Sequence, residues 1–203
     1  RRRPASPRGV PTLSFPTTDQ GLEQTMTELS NLRAEFTGPV TNAHSFAGRT
    51  IFLTDPAGNH YAIYTPKTSA DQSWRNKPMT GVGYIELEAP DVNASIDFYA
   101  KVLGFEVQDK SNAQATLKMA SGQTLILTRA PFSSKGLVMS RQVPGPHIAF
   151  YVPAAKWKDA LAHLETLGIE NGDRGAAKER TGEQGGTYMD DPAGYVIQFI
   201  TDR

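Results

Sequence analysis

Cysteine is absent from the 203 residues. Disulfides, thiolate-held zinc, thiol catalysis and cysteine-ligated iron–sulfur clusters are therefore excluded. No apolar run approaches the roughly 18 residues of a membrane-spanning helix, so no membrane partner is expected. The amino terminus carries no apolar stretch of the kind that marks a secretion signal, and a cytoplasmic location is the expectation. Net charge is missing as well: 21 Lys and Arg balance 21 Asp and Glu, which argues against a generally basic nucleic-acid binder. The balance is uneven along the chain. Arg1, Arg2, Arg3 and Arg8 place four positive charges in the first ten residues, which hold no acid, and leave 17 positive against 21 negative charges beyond them. Residues 1–9 read as a loose, disordered basic tail. No Ser-centred elbow, phosphate-binding loop or dinucleotide fingerprint is present.

What the chain does contain is a repeat. Asp55-Pro56-Ala57-Gly58 recurs as Asp191-Pro192-Ala193-Gly194. Each copy follows an apolar stretch, Ile51-Phe52-Leu53 or Tyr188-Met189, and precedes a strand-like run ending at Thr65 or Thr201. Pro fixes φ, Asp bonds nearby amides and Gly accepts positive φ, so each copy is expected to close a β-hairpin. Upstream of each lies a helical stripe: Leu22, Met26, Leu29 and Leu32 in the first, Trp157, Leu161, Leu164 and Leu167 in the last, with Gly168 as a C-cap. A strand precedes each helix, at Thr12–Phe15 and His147–Val152.

The middle of the chain follows the same plan. Tyr84-Ile85-Glu86-Leu87-Glu88 alternates as a half-buried strand does. Asp91 caps a helix with the stripe Val92, Ile96, Tyr99 and Leu103, closed by Gly104, and strands follow at Phe105–Val107, Ala115–Met119 and Thr124–Thr128. The spacing predicts three βαβββ units, near 10–66, 82–130 and 145–202, joined by linkers at 67–81 and 131–145.

The segment Gly83–Val107, GYIELEAPDVNASIDFYAKVLGFEV, resembles the opening module of the vicinal oxygen chelate superfamily. That group includes glyoxalase I (lactoylglutathione lyase), the bleomycin and fosfomycin resistance proteins, and the extradiol dioxygenases. Ser95, Phe98, Tyr99, Leu103 and Gly104 match its helix element, and the Asp-Pro-Ala-Gly hairpin is its second hallmark. The resemblance implies an α+β fold of tandem βαβββ modules whose curled mixed sheets pair around a cleft. It implies a complete two-module domain over 82–203 and a single carboxy-terminal-type module over 10–66. Because this fold buries its sheets in pairs, the single module is expected to pair in a homodimer or with a module missing upstream.

In the family, a divalent ion such as Fe, Mn, Ni or Zn is held by side chains of the first and last strands of each module. The matching positions here are Tyr84, Ile126, His147 and Gln198, with Thr12 and Ala62 in the amino-terminal unit. The resemblance thus leaves His147 and Gln198 as metal-ligand candidates. A cleft lined by Tyr84, Glu86, Ile126, His147, Tyr151, Tyr188 and Gln198 is implied, with Tyr84 and Glu86 as candidate catalytic residues. Tyr84 would donate its hydroxyl to a substrate oxygen or serve as a weak acid. Glu86 and Glu88 share its side of the strand. The segment Asn171–Gly186, with five glycines, is a candidate lid. Asp190-Asp191 is set aside as a carboxylate pair because neighbouring strand residues face opposite ways, and His60 is expected to face solvent.

Two functions follow as expectations. One is a protein that binds a small oxygenated or aromatic molecule without a complete metal site. The other is a metal-dependent lyase, epimerase or extradiol-type dioxygenase using His147 and Gln198.

Overall fold

The computed structural model describes residues 10–67, 81–130, 147–172 and 186–201. The tail at 1–9, nearly all of both linkers and most of the Asn171–Gly186 segment lie outside them.

The first unit runs β1 (Thr12–Pro16), α1 (Asp19–Asn31), β2 (Phe36–Thr41), β3 (Ala47–Thr54) and β4 (His60–Pro66). The second runs β5 (Tyr84–Ala89), α2 (Val92–Leu103), β6 (Glu106–Lys110), β7 (Gln114–Lys118) and β8 (Thr124–Arg129). The third has β9 (Ile148–Tyr151), α3 (Trp157–Thr166), β10 (Gly186–Asp190) and β11 (Val196–Ile200). Its first post-helical strand is reduced to a bridge between Gly172 and Tyr188 among the described residues. The fold is α+β, with mixed sheets built from the βαβββ plan.

Local chemistry explains the helices. Thr18 accepts a hydrogen bond from the Gly21 amide at the start of α1, and Asp91 accepts one from the Ala94 amide at the start of α2. Gly104 ends α2 at φ 69°, a left-handed geometry that a side chain disfavours. The predicted stripes need small corrections. Leu32 and Leu167 lie one residue beyond their helices and are exposed, while in α2 Val102 is buried and Leu103 only half-buried. Spacing places a residue on a face, but only a covering element can bury it.

The chain divides into two compact units. One takes the residues up to Leu87 with Lys118–Ile126; the other takes Glu88–Leu117 and everything from Leu127 onward. Strands β5 and β8 run through both. In the first unit the strand order is β2-β3-β4-β1-β5-β8. Strand β1 lies parallel to β4 and antiparallel to β5, with Thr12 opposite Glu86 and Leu13 opposite Ile85. Pro39 falls on β2, the outer strand of this order, where a missing amide donor breaks no ladder. The second unit carries the remainder of β5 and β8 followed by β7 and β6, and a three-stranded sheet ordered β10-β11-β9. In that sheet β11 is antiparallel to β10 and parallel to β9.

Candidate functional site

Tyr84 is fixed by its backbone before its side chain does anything. The wholly buried Ser14 hydroxyl accepts from the Tyr84 amide at 2.6 Å and donates to the Tyr84 carbonyl at 2.8 Å. This aims the ring into a buried cluster of Ala47, Ala62, Tyr64 and Ile126, with Phe46 and Phe52 packed against it. Tyr84 and Ile126, both expected at the site, thus meet in the first unit. So does Ala62, one of the positions the resemblance had matched to a ligand.

His44 completes this group. It sits in the turn between β2 and β3, and its ring meets the Tyr84 ring edge-on at 5.0 Å while stacking on Phe46 at 5.6 Å. Its Nε2 lies 3.6 Å from Oε2 of Glu86, with the two side chains 7% and 22% exposed. Tyr84 is held well above the ordinary tyrosine range, first by burial, then by the negative charge of Glu86 and by Tyr64. A phenol so placed keeps its proton. Tyr84 is therefore suited to donate a hydrogen bond rather than to release a proton.

Sequence reasoning missed His44 because polar turn residues normally face water. The signal was Phe46, an aromatic side chain in a turn, where it has no place unless the turn folds inward.

The second unit gathers His147, Tyr188 and Gln198. Gln198 stands opposite both Tyr188 and Ala149 in the β10-β11-β9 sheet, so these side chains share one face. The Gln198 amide donates to the Tyr188 hydroxyl at 2.9 Å, and the His147 ring meets the Tyr188 ring edge-on at 5.6 Å. Gln198 and Tyr188 are buried, whereas His147 is exposed. Tyr151 also belongs to this face and is 56% exposed. Gly186, opposite Ile200, leaves room for the glutamine: a Cβ there would lie 2.7 Å from Gln198 Nε2.

Other candidates resolve plainly. Glu88 uses its amide to donate to the Tyr195 hydroxyl at 3.1 Å. Asp190 is exposed and Asp191 buried, so the adjacent pair does not act as one. His60, expected in solvent, is half-buried because β4 pairs there with β1 and β3.

A divalent ion needs several N or O donors converging on one point. Among the described residues no three His, Asp or Glu side chains form such a group. His44 and Glu86 make one imidazole–carboxylate pair, and His147 has Tyr188 and the Gln198 amide beside it. Among the described residues these donors do not fit the ion.

Residues 81–199 match the family model described as Glyoxalase/Bleomycin resistance protein/Dioxygenase superfamily. A catechol-2,3-dioxygenase of Bacillus subtilis (strain 168) is 32% identical over 126 residues, which are 61% of this chain and 42% of that protein. The chain thus spans less than half the length of this relative. A solved structure of a proposed dioxygenase from Bacillus subtilis subsp. subtilis str. 168 covers 98% of the chain with a TM-score of 0.69 and 15% identity. The match takes in 65% of that structure, and the likeness is one of fold. A fosfomycin resistance protein from Listeria monocytogenes, solved with Mn(II) and a dihydroxypropylphosphonic acid, is 17% identical over 61% of this chain and 91% of its own, with a TM-score of 0.48.

Proposed function

Since the chain belongs to the Glyoxalase/Bleomycin resistance protein/Dioxygenase superfamily, we propose that it binds a small oxygenated or aromatic molecule without a complete metal site. Residues 82–203 are proposed as the two-module binding domain. The observation that carries the reading is the His147–Tyr188–Gln198 group: a buried amide bonded to a buried tyrosine hydroxyl, beside an exposed imidazole. Apolar surface with a few fixed polar groups is what a small-molecule seat needs. Tyr151 offers an accessible ring on the same face, while Tyr84, Ile126 and Glu86 are proposed as further site residues on β5 and β8. The shortage of converging donors among the described residues supports a role for these groups as hydrogen bonders rather than as an ion cage.

The test is a binding screen of hydroxylated aromatics on the purified chain, with metal content measured on the same sample. Gln198→Leu and His147→Ala are expected to weaken any binding by about tenfold or more, because each removes a polar contact. A stoichiometric divalent ion that is lost on His147→Ala would overturn the reading. In that case a metal-dependent lyase, epimerase or extradiol-type dioxygenase using His147 and Gln198 replaces it.

A further inference from the structure

Strand β9 ends the order β10-β11-β9 and has one strand neighbour among the described residues. Such an edge is a template for another strand, and proteins blunt it with proline or charge. The other outer strands are blunted: β2 holds Pro39, β6 holds Glu106, Asp109 and Lys110, and β10 ends in Asp190. Strand β9, Ile148-Ala149-Phe150-Tyr151, holds neither, and Ala149 and Tyr151 are exposed on it. The chain itself shows what such an edge takes. Ala149 stands opposite Gln198, four residues after Gly194, as Ser14 of β1 stands opposite Ala62, four residues after Gly58. Strand β9 is thus the counterpart of β1, whose other edge pairs with β5, the first strand of the next βαβββ repeat. We propose that β9 pairs antiparallel with the β9 of a second copy of this chain. The inference rests on His147, Tyr188 and Gln198 as site residues of the proposed function, and adds to that reading a second subunit beside them.

The β1–β5 joint fixes the register. The position shared by Thr12, Tyr84 and His147 is followed by Leu13, Ile85 and Ile148, and Leu13 lies opposite Ile85. Like meets like at that pair, so the joint has the symmetry of a two-fold axis. Two copies of β9 joined in this way set Ile148 opposite the partner's Ile148 and His147 opposite the partner's Ala149. Isoleucine suits a pleated, half-buried ladder, and β9 brings no charge to it. In the first compact unit the joint gathers Ala62 of one repeat with Tyr84 and Ile126 of the next in one buried cluster. Ala62 and Ile126 hold the Gln198 position, so the second copy brings both His147–Tyr188–Gln198 groups onto one sheet face. One aid is missing: Ala149 has no hydroxyl to make the two bonds that Ser14 makes to the Tyr84 backbone. The β9 joint is therefore the weaker of the two and reversible.

The experiment uses the full chain, in which one introduced cysteine is the only thiol. Light scattering is expected to show a concentration-dependent dimer. Under mild oxidation Ile148→Cys is expected to form disulfide-linked dimer about tenfold or more faster than Tyr151→Cys. Tyr151 is the more exposed, but its twin would lie roughly 20 Å away along the strand. Ala149→Ser, which restores the hydroxyl of Ser14, is expected to tighten the dimer by about tenfold. A chain that stays monomeric both as the parent and as Ala149→Ser overturns the inference, the edge then being covered from within its own chain. So does a dimer in which Tyr151→Cys cross-links as fast as Ile148→Cys. If Ile148→Cys does not fold, Ala149→Ser decides: a tighter dimer supports the pairing and an unchanged one overturns it. A dimer with the expected cross-linking that binds none of the screened hydroxylated aromatics supports the pairing and overturns the proposed function. A monomer whose binding falls on Gln198→Leu does the reverse.

Discussion

The Tyr99 hydroxyl donates a 2.9 Å hydrogen bond to the buried Asp191 carboxylate, whose other oxygen accepts from the Tyr195 amide at 2.7 Å. Tyr99 comes from α2 and Asp191 from the β10–β11 hairpin. The two stretches that carry the family resemblance, the Phe98-Tyr99 helix element and the Asp-Pro-Ala-Gly turn, are the two ends of one bond.

Tyr99→Phe is expected to cost about 1.5–3 kcal/mol, the range for a hydrogen bond to a charged group, because the carboxylate stays buried when its donor goes. Urea unfolding of parent and variant at neutral pH measures it. A change within about 0.5 kcal/mol would show that the bond is incidental.

Burial raises the Asp191 carboxyl from its ordinary 3.8 to about 6, against the lowering effect of the amide and Tyr99 hydrogen bonds. The folded chain therefore holds a proton that the unfolded chain releases near pH 3.8. This contribution to stability is full below that value, falls as pH rises through about 6 and is constant above. Asp191→Asn should abolish the slope, seen in urea midpoints taken from pH 4 to 7. A parent that follows the variant across that range contradicts the assignment. The first copy of the motif behaves oppositely. Asp55 is half-buried and its carboxyl is lowered chiefly by the Asn59 side chain, so its contribution is present above pH 3.8 and lost as pH falls through its folded value.

Gly186→Ala tests the seat of Gln198. The added methyl would lie 2.7 Å from Gln198 Nε2 and 2.9 Å from the Phe199 carbonyl, and only the first can move aside. The expected result is a loss of about 1–3 kcal/mol and a displaced Gln198–Tyr188 bond. The amide resonances of Gln198 in NMR spectra report the displacement. Unchanged resonances in a folded variant would refute it.

Leu164 and Leu167 share a predicted stripe but not a fate, being 0% and 40% exposed. Leu164→Ala should cost about 2–5 kcal/mol and Leu167→Ala less than about 0.5. Denaturation midpoints of the two variants decide whether the helical period or the covering structure sets the core.

The repeat, the helix caps and the succession of elements along the chain were legible because each rests on short-range chemistry: Asp91 before a helix, Gly104 after one, Asp-Pro-Ala-Gly between strands. The grouping of Tyr188 with Gln198 was legible through the resemblance and the period of two along a strand. His44 was not, since nothing local announces that a turn folds back over a ring 40 residues further on. Nor was the pairing of β1 with β5, which depends on the free edges of strands far apart in sequence. The deeper burial of Asp191 than of Asp55 was equally hidden: the two turns are identical in sequence, yet Asp191 takes its tyrosine hydrogen bond from α2 and Asp55 from Tyr61 of its own hairpin.

The Ser14–Tyr84 pair of bonds has a kinetic meaning. The β1–β5 ladder pairs Thr12 with Glu86 and Leu13 with Ile85, and the Ser14 hydroxyl bonds the backbone of Tyr84, 70 positions away. Closing so long a segment of chain costs entropy before any contact rewards it. The joint is expected to form after the hairpins on either side of it have set. Local opening is expected to begin there too, and exchange of the Tyr84 amide would read how often the joint parts.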